Sequence, residues 1–459
     1  MSHQDRHARG VRLNSADLLK ALQWLSRGTD WSAIRMRKES SRTPQWLAWT
    51  AILWAWSNES SLGERFACAQ RLIQHLQTPS PGKSTSYQAF LKVLTRWTGS
   101  LVLAWQITLR KRMETLLPEK WRRHGFVVFG VDGSKIDLPR TKSNQQAYAH
   151  SRQSSKRNRR KKPGDRAAMK KTEQPQFFLT TMFHVGLHLP WDWRIGPADS
   201  SERGHALEML DRLPAGSLLT ADPGFVGYDF ARAVLGAGCQ LLVRIGSNVK
   251  LLKNLGFVRE SDGIVNVWTD QAARREEPPL VLRLVVIQSG RHPVYLVTSV
   301  TSKSRLSDGK IADLYRARWG VEVFYRHLKQ TFGRRKLRSH AAANARVELE
   351  WSLVGLWGIG LYASQELVSR GIPLIRLSVA RSLQAFRRIS GDYLHPQSPR
   401  QRLGEMLGRA LLDEYDRKDK ASRDYPRKKR ERPPGRPMIQ KATRKQKTQI
   451  QKLKQSKYG

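Results

Sequence analysis

Three acidic residues stand where divalent-metal chemistry could be done. Asp132 closes the apolar run Phe126–Val131, and Asp222 closes Ser217–Ala221. Short runs of β-branched and aromatic residues are read as buried strands. In open α/β sheets, ligand-binding groups gather at the C-terminal ends of such strands. Glycine follows closely in each case, at Gly133 and Gly224, and lets the backbone turn away. Two carboxylates from neighbouring strand ends can hold a hard divalent cation through oxygen, an arrangement that recurs in two-metal phosphoryl transfer. Taken alone, each is equally well a turn-capping aspartate.

The third acid lies in Leu314–Lys329, where Tyr315, Arg318, Glu322 and Lys329 are separated by 3, 4 and 7 residues. Those intervals keep side chains on one helical face. One stripe therefore carries a phenol, a guanidinium, a carboxylate and an ammonium. Glu322 can complete a three-carboxylate site, Arg318 can fork onto a phosphate, and Lys329 can neutralise another as a point charge. The structural alternative is a solvated helix with a glutamate between two basic neighbours.

Tyr-x2-Arg-x3-Glu-x6-Lys resembles the YREK signature of the insertion-sequence-four family of bacterial transposases, as do Arg318-Trp319-Gly320-Val321-Glu322 and His327-Leu328-Lys329-Gln330 around it. Asp132-Gly133-Ser134 resembles the first catalytic motif of that family, and Ala221-Asp222-Pro223-Gly224-Phe225 the second. The likeness covers about 125–345 and is most specific in the Tyr315–Lys329 segment. It implies an RNase H-like catalytic domain with a β-unit inserted between the second aspartate and the glutamate. It implies Asp132, Asp222 and Glu322 as ligands of two Mg²⁺ ions, with Mn²⁺ as a substitute, and Tyr315, Arg318 and Lys329 on phosphates near the cleaved end. Double-stranded DNA follows as partner, both as transposon ends and as target, with a homodimer on the paired ends. An aromatic residue on the insertion would receive a flipped base. Trp268 is the only tryptophan there, and an amphipathic strand wants it equally for packing.

The elements that must position these residues read as follows. Residues 1–121 form a helical region expected to bind DNA ends, with Leu18, Leu19, Leu22 and Leu25 at helical spacing and the tryptophans at 46, 49, 54 and 56 in its core. Thr85–Trp97 is compatible with a recognition helix and equally with any small helical domain. Residues 122–345 form the α/β catalytic domain with a mixed sheet, built on strands at Phe126–Val131, Gln176–Val185, Ser217–Ala221 and Gln240–Ile245 and helices at Glu202–Leu213 and Tyr228–Ala237. A β-rich insertion occupies about 246–305, and Leu314–Phe332 is one helix. Residues 346–412 are a helical C-terminal region suited to dimerisation, and 413–459 a basic, disordered tail. The Arg152–Lys171 stretch, dense in Lys, Arg, Ser and Gly, cannot bury itself and reads as a loop along DNA backbone. The resemblance explains neither that loop nor the tail.

Charge agrees with this chemistry. The 459 residues carry 82 Lys+Arg against 38 Asp+Glu, a formal +44, and the chain before Asp416 still carries 65 against 34, or +31. So large a field on the body favours a nucleic acid over a ribosomal-type or membrane-surface role, because each cation on a phosphate releases condensed counterions. Cys68 and Cys239 lie far apart and form no zinc spacing. The apolar runs Trp46–Ser57 and Trp351–Gln365 are too short and too closely flanked by charge for a membrane span, and Met1–Val11 is polar. A soluble protein of the bacterial cytoplasm, associated with the nucleoid, is expected. The function expected is transposition by binding inverted-repeat ends, cutting them and rejoining them. An RNase H-like nuclease without strand transfer and a domesticated DNA-binding protein are the rivals.

Overall fold

A computed structural model of the chain describes residues 17–36, 43–76, 85–116, 118–149, 174–255, 263–289, 292–394, 402–412 and 435–458. The Arg152–Lys171 loop lies outside them. Among the described residues, ten strands form one mixed sheet with helices packed against it: β1 (Val128–Asp137), β2 (Gln176–His184), β3 (Leu189–Pro197), β4 (Leu218–Ala221), β5 (Gln240–Ile245), β6 (Lys250–Lys253), β7 (Ile264–Val267), β8 (Leu280–Ser289), β9 (His292–Thr298) and β10 (Met438–Lys441). Their order is β10-β6-β7-β8-β9-β5-β4-β1-β2-β3. β1, β4 and β5 run parallel, as do β10 and β6, and every other pair is antiparallel.

The parallel centre follows from the sequence, since strands buried on both faces read as continuous apolar runs. Val128–Val131 and Leu218–Ala221 are buried throughout. Side chains alternate between faces with period two. Along β1 and the two residues leading into it, Phe126 and Val128 share a buried cluster with Ile311 and Leu314 of the Asp308–Ala317 helix. Val127, Phe129 and Val131 belong to the large cluster that includes Ala206, Phe230 and Val234.

Four expectations are corrected. β1 does not stop at Val131: it continues through Asp132 to Asp137, because residues past 131 keep an antiparallel partner in β2 after β4 has ended. β3 was not anticipated, although Leu189, Trp191, Trp193 and Ile195 alternate with Pro190, Asp192 and Arg194 at the period of two that marks a strand. Asp192 is only 1% exposed and is neutralised by Arg194 at 3.2 Å and Arg110 at 3.4 Å. The β-insertion is no separate unit, for β9 pairs with β5 and so carries β6–β8 into the same sheet. The end of the tail is ordered: β10 extends the sheet beside β6, and the Arg444–Tyr458 helix buries Ile450 among Tyr228, Leu252, Leu255, Trp268 and Ala272. That helix shows few apolar residues, so its order comes from a neighbour that sequence alone does not supply.

The N-terminal helices do not stand apart either. Helices Pro44–Trp56, Leu62–Leu76 and Tyr87–Leu116 contribute to the large cluster together with Ala342–Ser369, a long helix buried along most of its length. Tryptophan ring nitrogens tie the parts together: Trp56 Nε1 donates to Gly355 O at 2.9 Å and Trp351 Nε1 to Thr98 Oγ1 at 3.1 Å. Trp49, Trp54 and Trp56 are core residues as expected, and Trp46 packs at the edge of the same cluster. Cys68 and Cys239 are buried free thiols. No helix among the described residues is long and apolar enough to cross a membrane.

Candidate active site

The register of the central strands sets the two aspartates side by side. Val131 is the partner of Ala221 across the parallel β1–β4 pair, so the next residues, Asp132 and Asp222, leave that pair abreast. Adjacent strands lie about 4.8 Å apart, which brings two carboxylates within reach of one cation. Alternation puts Asp132 on the same face as Gly130 and Ser134, and that face carries the segment around Glu322. A Cβ on Gly130 would stand 3.6 Å from Arg318 Cγ, and Lys329 Nζ donates to Ser134 Oγ at 2.7 Å.

The signature segment is not one regular helix. Helix Asp308–Ala317 gives way at Arg318 and Trp319 to three-residue hydrogen bonds, Arg318 N to Tyr315 O and Val321 N to Arg318 O. A second helix then spans Gly320–Arg326, followed by a π-helical turn at His327–Thr331 closed by Phe332 N to His327 O. Gly320 sits at the break because β2 passes beneath it: a Cβ there would come within 2.8 Å of Phe183 Cε1. Tight and wide turns of this kind recur at functional sites, where they re-aim side chains.

Despite the break, the stripe holds together. Arg318 Nη2 is 3.1 Å from Glu322 Oε1, and the guanidinium lies 5.6 Å from the centre of the Tyr315 ring. Tyr315, Asp132, Asp222 and Glu322 all favour the charged form of Arg318, against the desolvation that opposes it. Arg318 Nε and Nη1 are buried and have no hydrogen-bond partner among the described residues, so two donors of the fork remain for another oxygen. Burial pushes the carboxyl of Asp132 up to about 6; Asp222 and Glu322 add to the rise, while Arg318 and the Gly133 amide oppose it. The three acids and Arg318 therefore share one partly desolvated space. Burial also raises the Tyr315 phenol and lowers the Lys329 ammonium from their ordinary values.

The turn-capping alternative is realised as well. Asp132 Oδ1 accepts from Gly133 N at 2.9 Å and Asp222 Oδ1 from Gly224 N at 2.7 Å. Each cap uses one carboxylate oxygen, and it does not account for Glu322 and Arg318 arriving at the same place.

Two residues were missed by the sequence reading. Tyr325, buried under Gly320–Arg326, reaches the carbonyls of Asp132 at 2.7 Å and Leu179 at 3.1 Å. Glu202, first in a short helix, brings a fourth carboxylate, pushed up to about 7 by burial first and by Asp132 and Asp222 next. As an acid in the first turn of a helix it looked like an ordinary complement to the helix dipole. Its position could not be read without β3, which precedes it.

An all-carboxylate donor set suits a hard cation such as Mg²⁺. As placed, however, no three of the described His, Cys, Asp and Glu residues converge closely enough to hold an ion. Side-chain closure, with Arg318 released from Glu322, would be needed to complete the set. Trp268 lies apart from this cluster. It is 5% exposed, donates from Nε1 to Glu277 O at 2.7 Å, and lines a cavity of about 350 Å³ together with Phe225, Val226, Asn248, Gln440 and Gln446. The packing role expected of it is thus present.

Comparison with known proteins supplies relatives for the chain. Over 243 residues the chain is 26% identical to the transposase InsG for insertion sequence element IS4 of Escherichia coli (strain K12), a match covering 51% of this chain and 50% of that protein. The chain thus spans about half the length of that curated relative. A cryo-EM structure of a piggyBac transposase synaptic complex with hairpin DNA aligns over 89% of this chain and 88% of its own, at 12% identity and a TM-score of 0.37. The family model described as a transposase DDE domain matches residues 123–356, from just before β1 into the Ala342–Ser369 helix, which is just over half of the chain. With two aspartates abreast on parallel strands and the third acid arriving from its signature segment, the chain belongs to the transposase DDE domain family.

Proposed function

We propose that the chain is a transposase that binds the terminal inverted repeats of its own mobile element and cuts and rejoins DNA there, in a cut-and-paste reaction on an RNase H-like core. The observation that carries this reading is that Asp132, Asp222 and Glu322 all lie near enough to Arg318 to favour its charge, with Glu322 paired to it at 3.1 Å. A protein that only binds DNA gains nothing from three crowded acids, which repel both each other and phosphate.

In this reading Asp132, Asp222 and Glu322 hold two Mg²⁺ ions, which would supply Lewis-acid stabilisation of the charge building on the transferred phosphoryl group. The protein's own groups do the rest. Arg318 turns its fork from Glu322 onto a phosphate beside the scissile bond, Lys329 neutralises a neighbouring one, and Tyr315 positions Arg318 from beneath. The cavity beside Trp268 is the place offered to a base unstacked from the end. Two chains would act on the paired ends.

Incubating the purified protein and Mg²⁺ with the DNA that flanks its gene, then sequencing the products, tests the function. Asp132→Asn, Asp222→Asn and Glu322→Gln should each abolish cleavage and leave binding of the ends intact. A variant of any of the three that cuts near the wild-type rate removes that residue from the site. Hydrolysis with no joined product would favour the plain nuclease.

A further inference from the structure

Four arginines crowd one buried glutamate where the N-terminal helices meet the chain that leaves the signature segment. Arg65 lies on the Leu62–Leu76 helix, Arg334 and Arg338 follow the π-helical turn, and Arg387 lies on the Val379–Leu394 helix. Burial first, and Arg65 next, bring Arg334 down to about 9, with Arg387 and Arg338 adding to the fall. Glu348 is 1% exposed, and its carboxylate is taken by the amides of Arg338 at 3.0 Å and Ser339 at 2.9 Å and by Ser339 Oγ at 2.8 Å. Among the described residues none of the four guanidiniums forms an ion pair. Their nitrogens are unequally engaged. Arg334 donates from all three, to Ser352 Oγ, Phe332 O and Ala55 O. The bonds of Arg387 and Arg65 run from Nε, to Trp56 O and Glu59 O, both at 2.8 Å. Arg65 is only 5% exposed, and its Nη1 is enclosed with no hydrogen-bond partner among the described residues. The Arg338 guanidinium is exposed and also has none there. Tyr87, in the first turn of the 30-residue Tyr87–Leu116 helix, lies within electrostatic reach of Arg65 and Glu348, so the positive end of that helix borders the cluster.

We propose that this cluster is a second phosphate site, holding a phosphodiester of the DNA backbone between the N-terminal helices and the segment that follows Lys329. The proposal rests on the DNA-binding part of the reading above and needs no metal. Where an arginine of this chain serves structure alone, a carboxylate can satisfy it permanently, as Asp17 does for Arg402 at 2.9 Å. Here the buried acid gives its oxygens to amides and a hydroxyl instead. Capping explains part of the arrangement, since Arg334 and Arg387 hold the last carbonyls of the Pro44–Trp56 helix. It explains neither the unengaged Arg338 nor the orphaned donor of Arg65. A buried guanidinium nitrogen without an acceptor costs free energy that an anion recovers, and phosphate oxygens suit its forked donors. Arg335, exposed and close enough to Lys329 to lower it, carries the same charge back toward the three acids.

Inorganic phosphate and duplex DNA, each added to the full chain, test this. Thermal melting followed by circular dichroism should show a saturable rise in midpoint when phosphate replaces chloride at constant ionic strength. Arg338→Gln and Arg387→Gln should each weaken that phosphate binding by about tenfold or more. On duplex DNA the same changes should lower the slope of log K against log salt by about 0.9 for each phosphate no longer held. Arg338→Lys should restore the slope and recover phosphate binding only in part, because the charge returns without the fork. An arginine with a purely structural role would move the midpoint of the free protein and leave both ligand effects unchanged. If Arg387→Gln does not fold, Arg338→Gln, at an exposed position, carries the test. Both effects are required. Phosphate binding lost with an unchanged DNA slope means an adventitious ion only, and the DNA site is overturned. A wild type that binds DNA but shows no saturable response to phosphate overturns the anion site and leaves the DNA-binding reading standing. A wild type that binds no DNA removes that reading, and the site falls with it.

Discussion

The hydroxyl of Tyr325 lies 2.7 Å from the carbonyl oxygen of Asp132, three residues beyond Glu322 on the same short helix. Through that hydrogen bond the helix bearing the third acid is fastened to the strand bearing the first. Tyr325→Phe should leave a buried carbonyl without its donor and cost about 1–3 kcal/mol of stability. Because Glu322 also loses its registration against Asp132, single-turnover cleavage should slow while end binding persists. A Phe variant with unchanged urea midpoint and unchanged turnover would show that the hook is dispensable.

Arg318 and Lys329 should matter more to chemistry than to binding. Arg318→Ala and Lys329→Ala are each expected to cost about 2–4 kcal/mol at the transition state, roughly 30- to 1000-fold in rate. Arg318→Lys should rescue only in part, because an ammonium lacks the bidentate fork. If Arg318 merely pairs with Glu322, its removal would lower stability, because it leaves a partly buried carboxylate unpaired, and the folded protein would cut at an unchanged rate. Cleavage of pre-bound end DNA in a single turnover separates the two outcomes.

The C-terminal helix should divide into an anchoring face and a DNA face. Ile450 is buried, whereas Lys445, Lys447 and Lys452 are exposed. Ile450→Ala should destabilise the protein by about 2–4 kcal/mol. Replacing the three lysines with alanine should spare stability, weaken non-specific DNA binding, and lower the slope of log K against log salt by about 0.9 for each phosphate no longer neutralised. Affinity titrations at several salt concentrations read this directly, and an unchanged slope would take the helix off the DNA.

His184 should make the fold acid-sensitive. It stacks on Trp121 at 4.6 Å, its Nδ1 accepts from Leu187 N at 3.1 Å, and burial holds its pKa down to about 3, below the ordinary 6.5. The unfolded chain takes up this proton near pH 6.5 and the folded chain does not. The stabilisation is therefore complete above pH 6.5 and is lost as pH falls toward 3. Urea midpoints compared at pH 7 and pH 5 should drop less in His184→Gln than in wild type. An equal drop in both would assign the acid sensitivity to other groups.

Much of this protein is written in local sequence. The runs Phe126–Val131, Ser217–Ala221 and Gln240–Ile245 read as buried strands, the tryptophans of Pro44–Trp56 read as core, and the spacing from Tyr315 to Lys329 put four polar side chains on one stripe. Such features depend on composition and period, which survive without partners. Tertiary structure decided the rest. Asp132 and Asp222 stand abreast because of a register between strands about ninety residues apart, which no local pattern encodes. The signature segment breaks at Gly320 because Phe183 lies under it. The Arg444–Tyr458 helix is ordered because the β-insertion offers Ile450 a place to bury. Glu202 came near Asp132 and Asp222 for the same kind of reason: its own neighbours in sequence made it a helix-start acid, and only the missing side chain at Gly133 left room for its carboxylate there.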